Sequence, residues 1–352
     1  MADSVVVGVL YPAEWYGDAE GFAGEIERIR ALDPRIEVVV ERYDEPHELR
    51  SARGKPDADE RRDQAPALTD AQRAAFGRVE VVVAIDLPFD VAAVAPGLRW
   101  VQAVGAGTAQ LQSAGLADAG IRLSSAAGAN AVGIAEFALA RVLAHWKGFR
   151  ELDAMQAEHV WEPRFGRQLA GSTLGLLGLG AINSAVAARA RAFGMRVVAT
   201  RRSATPGATA PDVDELFPTT ELHTMLAGCD VVIAAVPETP ETRGLIDAAA
   251  IATMRPGAFF VNVGRGSLVD EPALVAALER GHLGGAALDV ASVEPLPPDH
   301  PLWDAPNLFL SPHAATSPSA LFANLHELFL ENLAAYLAGA PLRNEVDVGR
   351  GY

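Results

Sequence analysis

Three side chains able to grip an anion or move a proton stand just past apolar runs. Arg265 follows "FFVNVG", with a glycine on either side. Glu294 comes shortly after Asp289, the end of "GAALD", and His313 closes "LFLSP". A fourth run, "TLGLLGLG", ends in Gly178, Leu179 and Gly180 and leads into the alanine-rich "AINSAVAARARAFG". Strand, glycine turn and helix in that order make a turn for a dinucleotide pyrophosphate. Gly178 permits the tight turn, Gly180 lets backbone approach the phosphates, and the helix N-terminus favours their charge. The third glycine of the pattern serves packing of helix on strand. Asn183 stands there instead, which should widen that packing slightly without abolishing binding. Ligands of open parallel sheets bind outside the carboxyl ends of the strands, so Arg265, Glu294 and His313 can converge with the glycine turn on one crevice. Singly, each has a plainer reading as a surface arginine, a turn carboxylate or a satisfied histidine. Together, behind a dinucleotide turn, they favour one site.

The strand after the glycine turn reads "MRVVATRRS". An acid about twenty residues past the glycines binds the ribose hydroxyls of NAD. Here Arg201 and Arg202 hold that place, and no acid occurs between Met195 and Pro211. Two guanidiniums suit a 2′-phosphate, so NADP(H) is preferred, with NAD(H) left open.

The elements that would position these groups alternate along the chain. "VVVGVL", "RIEVVVE", "VEVVVAI", "LRWVQAV" and "IRLSS" read as strands, with helices "EGFAGEIERIRAL" and "TDAQRAAF" between them. Alternation of this kind implies parallel sheets with crossover helices, an α/β protein. "YDEPHELRSARGKPDADERRDQAP" interrupts it; charged, poor in apolar residues and holding three prolines, it reads as a mobile surface insertion. "NAVGIAEFALARVLAHWKGFRELDAMQAEHVW" reads as one long helix that can link two domains. A second βα series runs from "STLGLLGLG" to "LFLSPHAA". The final helix, "ALFANLHELFLENLAAYLAG", can return to pack on the first domain.

The 352 residues suit two domains, and half of them are hydrophobic, enough for sizeable cores. A net charge of -16 argues against nucleic acid as a partner. No apolar run has the length to cross a bilayer, and "MADSVVVGVLYP" is unlike a signal peptide. Cys229, the one cysteine, falls at the start of a buried strand and reads as a structural thiol, which makes the cytoplasm the default location.

From about Arg99 to about Ser317 the sequence resembles the D-isomer-specific 2-hydroxyacid dehydrogenase family, of the glyoxylate and hydroxypyruvate reductase type. The resemblance rests on "LAGSTLGLLGLGAI", "VPETPETRGLID", "MRPGAFFVNVGRGSLVDEPALVAALERGHLGGAALDV", "EPLP" and "SPHAA". It implies that Arg265, Glu294 and His313 are catalytic. Asp289 would contact the nicotinamide carboxamide. The coenzyme would also lie against Ala181, Ile182, Val236, Pro237, Thr242 and Val263. "QAVGAGTAQLQ" resembles the family's substrate loop, with N–H groups around Ala106 and Gly107 for the substrate carboxylate. An aspartate usual in that loop is Ala109 here, a change expected to loosen it. The implied fold has two Rossmann-like or flavodoxin-like domains. A coenzyme domain, 129–313, is inserted into a discontinuous substrate domain, 1–128 and 314–352. A homodimer through the coenzyme domains is implied too, with the long helix near the interface.

Residue types agree with that chemistry. Arg265 can hold and polarise a 2-keto acid with its planar fork. His313, as imidazolium, can give the carbonyl oxygen a proton, and Glu294 beside it favours the charged ring. The coenzyme brings the hydride, and no metal enters the set. The first reading is therefore an NADPH-dependent reductase of small 2-keto acids. A phosphoglycerate-type dehydrogenase comes second, because the 39 residues after His313 leave no room for the regulatory domain that many of those carry. A third reading is a nucleotide-sensing binding protein on the same fold. Trp15, Trp146 and Trp161 are candidates for pocket walls.

Overall fold

Runs of β-branched residues open the chain's first sheet. In the computed structural model, residues 4–16, 19–55, 57–205 and 207–348 are described. Five strands, β1 (Val5–Val9), β2 (Ile36–Val40), β3 (Val81–Ala84), β4 (Trp100–Ala103) and β5 (Arg122–Ser124), lie where the alternation places them. All pair in parallel, in the order β2-β1-β3-β4-β5, the flavodoxin-type order. β3 and β4 are buried along their whole length, as expected of a parallel sheet covered on both faces. One covering layer comes from the far end of the chain. The helix Pro318–Leu337 packs Phe322, Leu325, Phe329 and Leu333 into the core of this sheet. Trp100 of β4 stacks between Phe329 and Tyr336, with ring centroids 5.5 and 5.6 Å away.

Seven more strands form the second sheet: β6 (Thr173–Leu177), β7 (Arg196–Thr200), β8 (Glu215–Phe217), β9 (Val231–Ala234), β10 (Ala258–Asn262), β11 (Leu283–Leu288) and β12 (Leu308–Leu310). They too are parallel, in the order β12-β11-β10-β9-β6-β7-β8. The order reverses between β6 and β9, which puts a crevice at the carboxyl end of β6. The chain divides into two compact units, Met1–Asn130 with Ser317–Tyr352, and Ala131–Thr316. Cys229 is fully buried beside Gly175, where an added Cβ would fall 2.5 Å from its Sγ. Burial pushes its thiol up to about 12, which fits a structural thiol.

Three expectations need correction. The long helix is two, Ala131–Lys147 and Phe149–Ala157, broken at Gly148, whose φ of 67° lies in the left-handed region. Trp146, at the end of the first, is buried in the core and is not a pocket wall. The charged segment is not a mobile insertion either. It folds into His47–Arg53 and a 3-10 helix, Ala58–Gln64, around a buried ionic network. Arg53 and Glu45, each 2% exposed, pair at 2.5 Å, and Arg50 pairs with the buried Asp86 at 2.5 Å. Composition misled here because opposite charges neutralise one another inside the fold rather than facing water.

Candidate functional site

The turn after β6 is built around its glycines. Gly178 has φ +76°, and a Cβ there would lie 2.4 Å from Val236 Cγ1 at the end of β9. Gly180 differs: its φ is −93°, and a Cβ would meet nothing within 4 Å. Protein packing therefore does not require a glycine at position 180, and the space above it is open. The helix Ala181–Ala192 starts there with no side-chain cap, so its first N–H groups face that space. This is a cradle that a side chain would fill and a pyrophosphate fits. Asn183 is buried at the foot of the helix. Its Nδ2 donates to the carbonyls of Leu177 (2.8 Å) and Gly178 (2.7 Å), tying the helix to the strand end.

Around the crevice, each position expected to face the coenzyme follows the carboxyl end of a strand. Ala181 is exposed and Ile182 half-buried on the first helical turn. Arg201 and Arg202, just past β7, are exposed, and neither makes a hydrogen bond or ion pair to the described residues through its side chain. Beyond β9, Thr242 Oγ1 donates to Pro237 O at 2.7 Å and accepts from Thr239 N at 2.8 Å, which folds Val236 and Pro237 back over the strand end. Val263 follows β10 and is 6% exposed.

Arg265, Glu294 and His313 come together. His313 Nδ1 and Glu294 Oε2 are 3.0 Å apart, with the side chains 48% and 26% exposed. Burial would push the Glu294 carboxyl up. The hydrogen bonds from His313 and from the Ala291 N–H, with the charges of His313 and Arg265, outweigh it and hold the group below its ordinary value. Glu294 is thus a carboxylate near neutrality, so Nδ1 carries the proton of the bond and Nε2 is the nitrogen free for a ligand. Arg265 is half-buried and donates Nη1 to Gly264 O at 2.7 Å. Asn262 shapes its turn, donating to Arg265 O at 2.9 Å and accepting from Gly264 N at 3.0 Å.

Asp289 has a task the sequence did not reveal. Its carboxylate, 3% exposed, accepts from Ser311 Oγ (2.6 Å) and from the N–H groups of Ala314 (2.8 Å) and Ala315 (3.1 Å). His313 N donates to Asp289 O at 2.8 Å. These bonds hold His313 at φ 53°, a left-handed conformation that a non-glycine residue adopts only when its surroundings impose it. Gly266 was missed as well. A Cβ there would lie 1.9 Å from the Ala291 carbonyl carbon, so only glycine lets the arginine turn sit against the loop that carries Glu294.

The loop after β4 belongs to the other unit. Among the described residues no acceptor takes the N–H groups of Ala106 and Gly107. Ala109 opens a short helix, Ala109–Gln112, and lies against Gly54, where a Cβ would be 3.1 Å from that of Ala109. Gln110 Nε2 donates to Ile85 O at 3.1 Å, and Arg53 Nε to Ser113 Oγ at 2.8 Å. Among the described residues no group of three or more His, Cys, Asp or Glu side chains could hold a metal ion, and no helix is long and apolar enough to cross a membrane.

Residues 139–315 match the model of the D-isomer specific 2-hydroxyacid dehydrogenase NAD binding domain, half of the chain. The chain belongs to that family. Of its curated relatives, D-3-phosphoglycerate dehydrogenase of Mycobacterium tuberculosis is 36% identical over 264 residues, 74% of this chain and 49% of that protein. Glyoxylate reductase of Thermofilum pendens is 35% identical over 257 residues, 70% of this chain and 74% of that protein. The NADPH-dependent glyoxylate/hydroxypyruvate reductase of Sinorhizobium meliloti, solved with NADP and sulfate, superposes with a TM-score of 0.75 at 26% identity, over 99% of this chain and 100% of that one. The chain spans about half the length of the phosphoglycerate dehydrogenases it matches.

Proposed function

We propose that this family member is an NADPH-dependent reductase of small 2-keto acids, of the glyoxylate or hydroxypyruvate type, giving the D-2-hydroxy acid. The observation that carries the reading is the pairing of His313 Nδ1 with an ionised Glu294 at 3.0 Å, within the field of Arg265 and across the same sheet edge as the glycine cradle. Gly178, Gly180 and the helix N-terminus would hold the pyrophosphate. Arg201 and Arg202 would take the 2′-phosphate, and the Sinorhizobium meliloti relative was solved with NADP. When bound, the reduced nicotinamide supplies the hydride.

This chain's residues do the rest. Arg265 grips the keto acid and polarises its carbonyl. His313 Nε2 gives the developing alkoxide a proton, and Glu294 steadies the charged ring at Nδ1. The test is NADPH and NADH oxidation with glyoxylate, hydroxypyruvate, pyruvate and 3-phosphohydroxypyruvate. Turnover of the small acids with NADPH is the expected result. Turnover of the phosphorylated acid alone would assign the phosphoglycerate-type activity of the 36%-identical relatives. Coenzyme binding without turnover of any acid would make the chain a nucleotide sensor. A homodimer is part of the proposal. The helix Phe149–Ala157 has no buried residue, and beyond it Trp161 and Phe165 are 99% and 92% exposed, aromatic surface that a second copy would cover.

A further inference from the structure

Glu271 stands outside the reacting set and is 5% exposed. It opens the helix Glu271–Glu279, capped by Asp270. A carboxylate is favoured in a first helical turn by the helix dipole, but that alone gives no reason to bury it. Both of its oxygens are used on another loop. Ser292 N donates to Oε1 at 2.7 Å and Ser292 Oγ to Oε2 at 2.6 Å. His300 Nε2 lies 3.7 Å from the same Oε2. One residue before Ser292, the Ala291 N–H donates to Glu294 Oε1 at 3.0 Å. Gly266 abuts the same loop, where a Cβ would lie 2.3 Å from Ser292 N.

We infer that Glu271 is a positioning residue which, through Ser292, keeps residues 291–294 in register with the segment bearing Arg265, so that Glu294 meets His313. The inference rests on the reading of Arg265, Glu294 and His313 as the reacting groups. Residues 265–271 form one short segment with the anion fork at one end, Gly266 beside it and Glu271 at the other end. Two contacts on adjacent residues pin the neighbouring loop: a steric stop at Gly266 and a two-point hydrogen bond at Glu271. Gly266 limits how close the loop comes, and Glu271 pulls it in. Without that pull the loop can swing outward, taking Glu294 away from His313 and into water.

The variants are E271A, E271Q and S292A. In E271Q the amide keeps the shape and one acceptor for Ser292 N, so it should largely rescue what E271A loses. The first readout needs neither turnover nor coenzyme: the titration of the Glu294 carboxyl carbon by NMR. Burial pushes that carboxyl up, while His313 and Ala291 hold it below its ordinary value. Release of the loop ends the burial and the His313 bond, so in E271A the carboxyl should titrate away from its native pH, with E271Q close to native. S292A, which keeps the carboxylate at the helix start, should move it the same way by less, and decides the matter if E271A does not fold. The second readout is kinetic. E271A should lower kcat for the keto acid about tenfold to a hundredfold, the size of a misplacement near one ångström, with NADPH affinity unchanged. Native Glu294 titration in E271A and S292A, or an E271Q as impaired as E271A, would overturn the inference. A native protein that turns over no keto acid refutes the proposed activity instead and leaves the NMR result standing.

Discussion

Valine at position 180 separates the coenzyme site from the fold. Gly180 has a backbone that any L-residue adopts, and its Cβ would meet no protein atom within 4 Å. Folding therefore has little to lose. Reduced freedom of the unfolded chain favours the variant by about 0.4–1 kcal/mol, and a poorer helix cap opposes it by a similar amount, so the net change should stay within about 1 kcal/mol. In the complex, the added methyl groups would enter the space assigned to the pyrophosphate. Overpacking of about 1–3 kcal/mol weakens NADPH binding by about 5- to 150-fold. Gly178→Ala is the converse. A left-handed backbone costs an L-residue about 1–2 kcal/mol, and the 2.4 Å approach to Val236 Cγ1 adds about 1–3 kcal/mol of overpacking. The sum lowers Tm by about 4–20 °C for a unit of this size. Fluorescence titration with NADPH and thermal melts read the two effects separately. Native NADPH affinity in G180V would refute the pyrophosphate assignment, and an unchanged Tm in G178A would refute the steric account of the turn.

H313A should lower kcat by about a hundredfold to ten-thousandfold, the usual weight of a general acid, with NADPH binding retained; a near-native rate would remove His313 from the mechanism. E294Q should lower kcat for the keto acid with NADPH affinity retained, because the amide cannot hold His313 Nδ1 as the ionised carboxylate does; a native kcat would separate the two residues. N183G restores the third glycine, yet should destabilise the protein by about 1–3 kcal/mol, because the Leu177 and Gly178 carbonyls lose their donor. NADPH affinity should stay within about tenfold, and a gain in stability on denaturant titration would contradict this. Light scattering should report a dimer in the native protein and a shift toward monomer in W161D; a native monomer at micromolar concentration would dismiss the proposed interface.

Where the sequence was legible, the signal was local and periodic. Apolar runs, many of them β-branched, located the five strands of the first sheet and six of the seven in the second; the short β8 was not singled out. The strand–glycine–helix order placed the crevice, because each of those features depends only on near neighbours along the chain. Signals failed where a residue's role depends on something distant. "HELRSARGKPDADERRDQ" looks solvated by composition, but Arg53 meets Glu45, and Arg50 meets Asp86 from across a strand. No count of charges shows whether they face water or one another. The break at Gly148 was readable in principle, since a glycine between two helical patterns permits a left-handed residue. Continuous apolar spacing across it masked the turn.

The candidate site divides along the same line. Arg265, Glu294 and His313 stand out because their residue types do chemistry. The residues that aim them belong to types that usually do nothing of the kind. Asn183 departs from the pattern by one residue, yet it replaces a packing glycine with a side chain that binds the two carbonyls the strand leaves open. Asp289 sits in the expected place but spends its hydrogen bonds on the backbone that forces His313 into a left-handed turn. Gly266 and Glu271 both follow the arginine within six residues, and both act on a loop more than twenty residues further on. Spacing cannot encode such a contact, because the pairing of β10 with β11 first brings the two loops side by side, and only then can Gly266 and Glu271 hold them. Parallel pairing of adjacent strands brings their carboxyl-end loops side by side whatever those loops contain. Substitution at Gly266, Glu271 or Asp289 should therefore disturb the geometry of the reacting groups while leaving each of those groups in place.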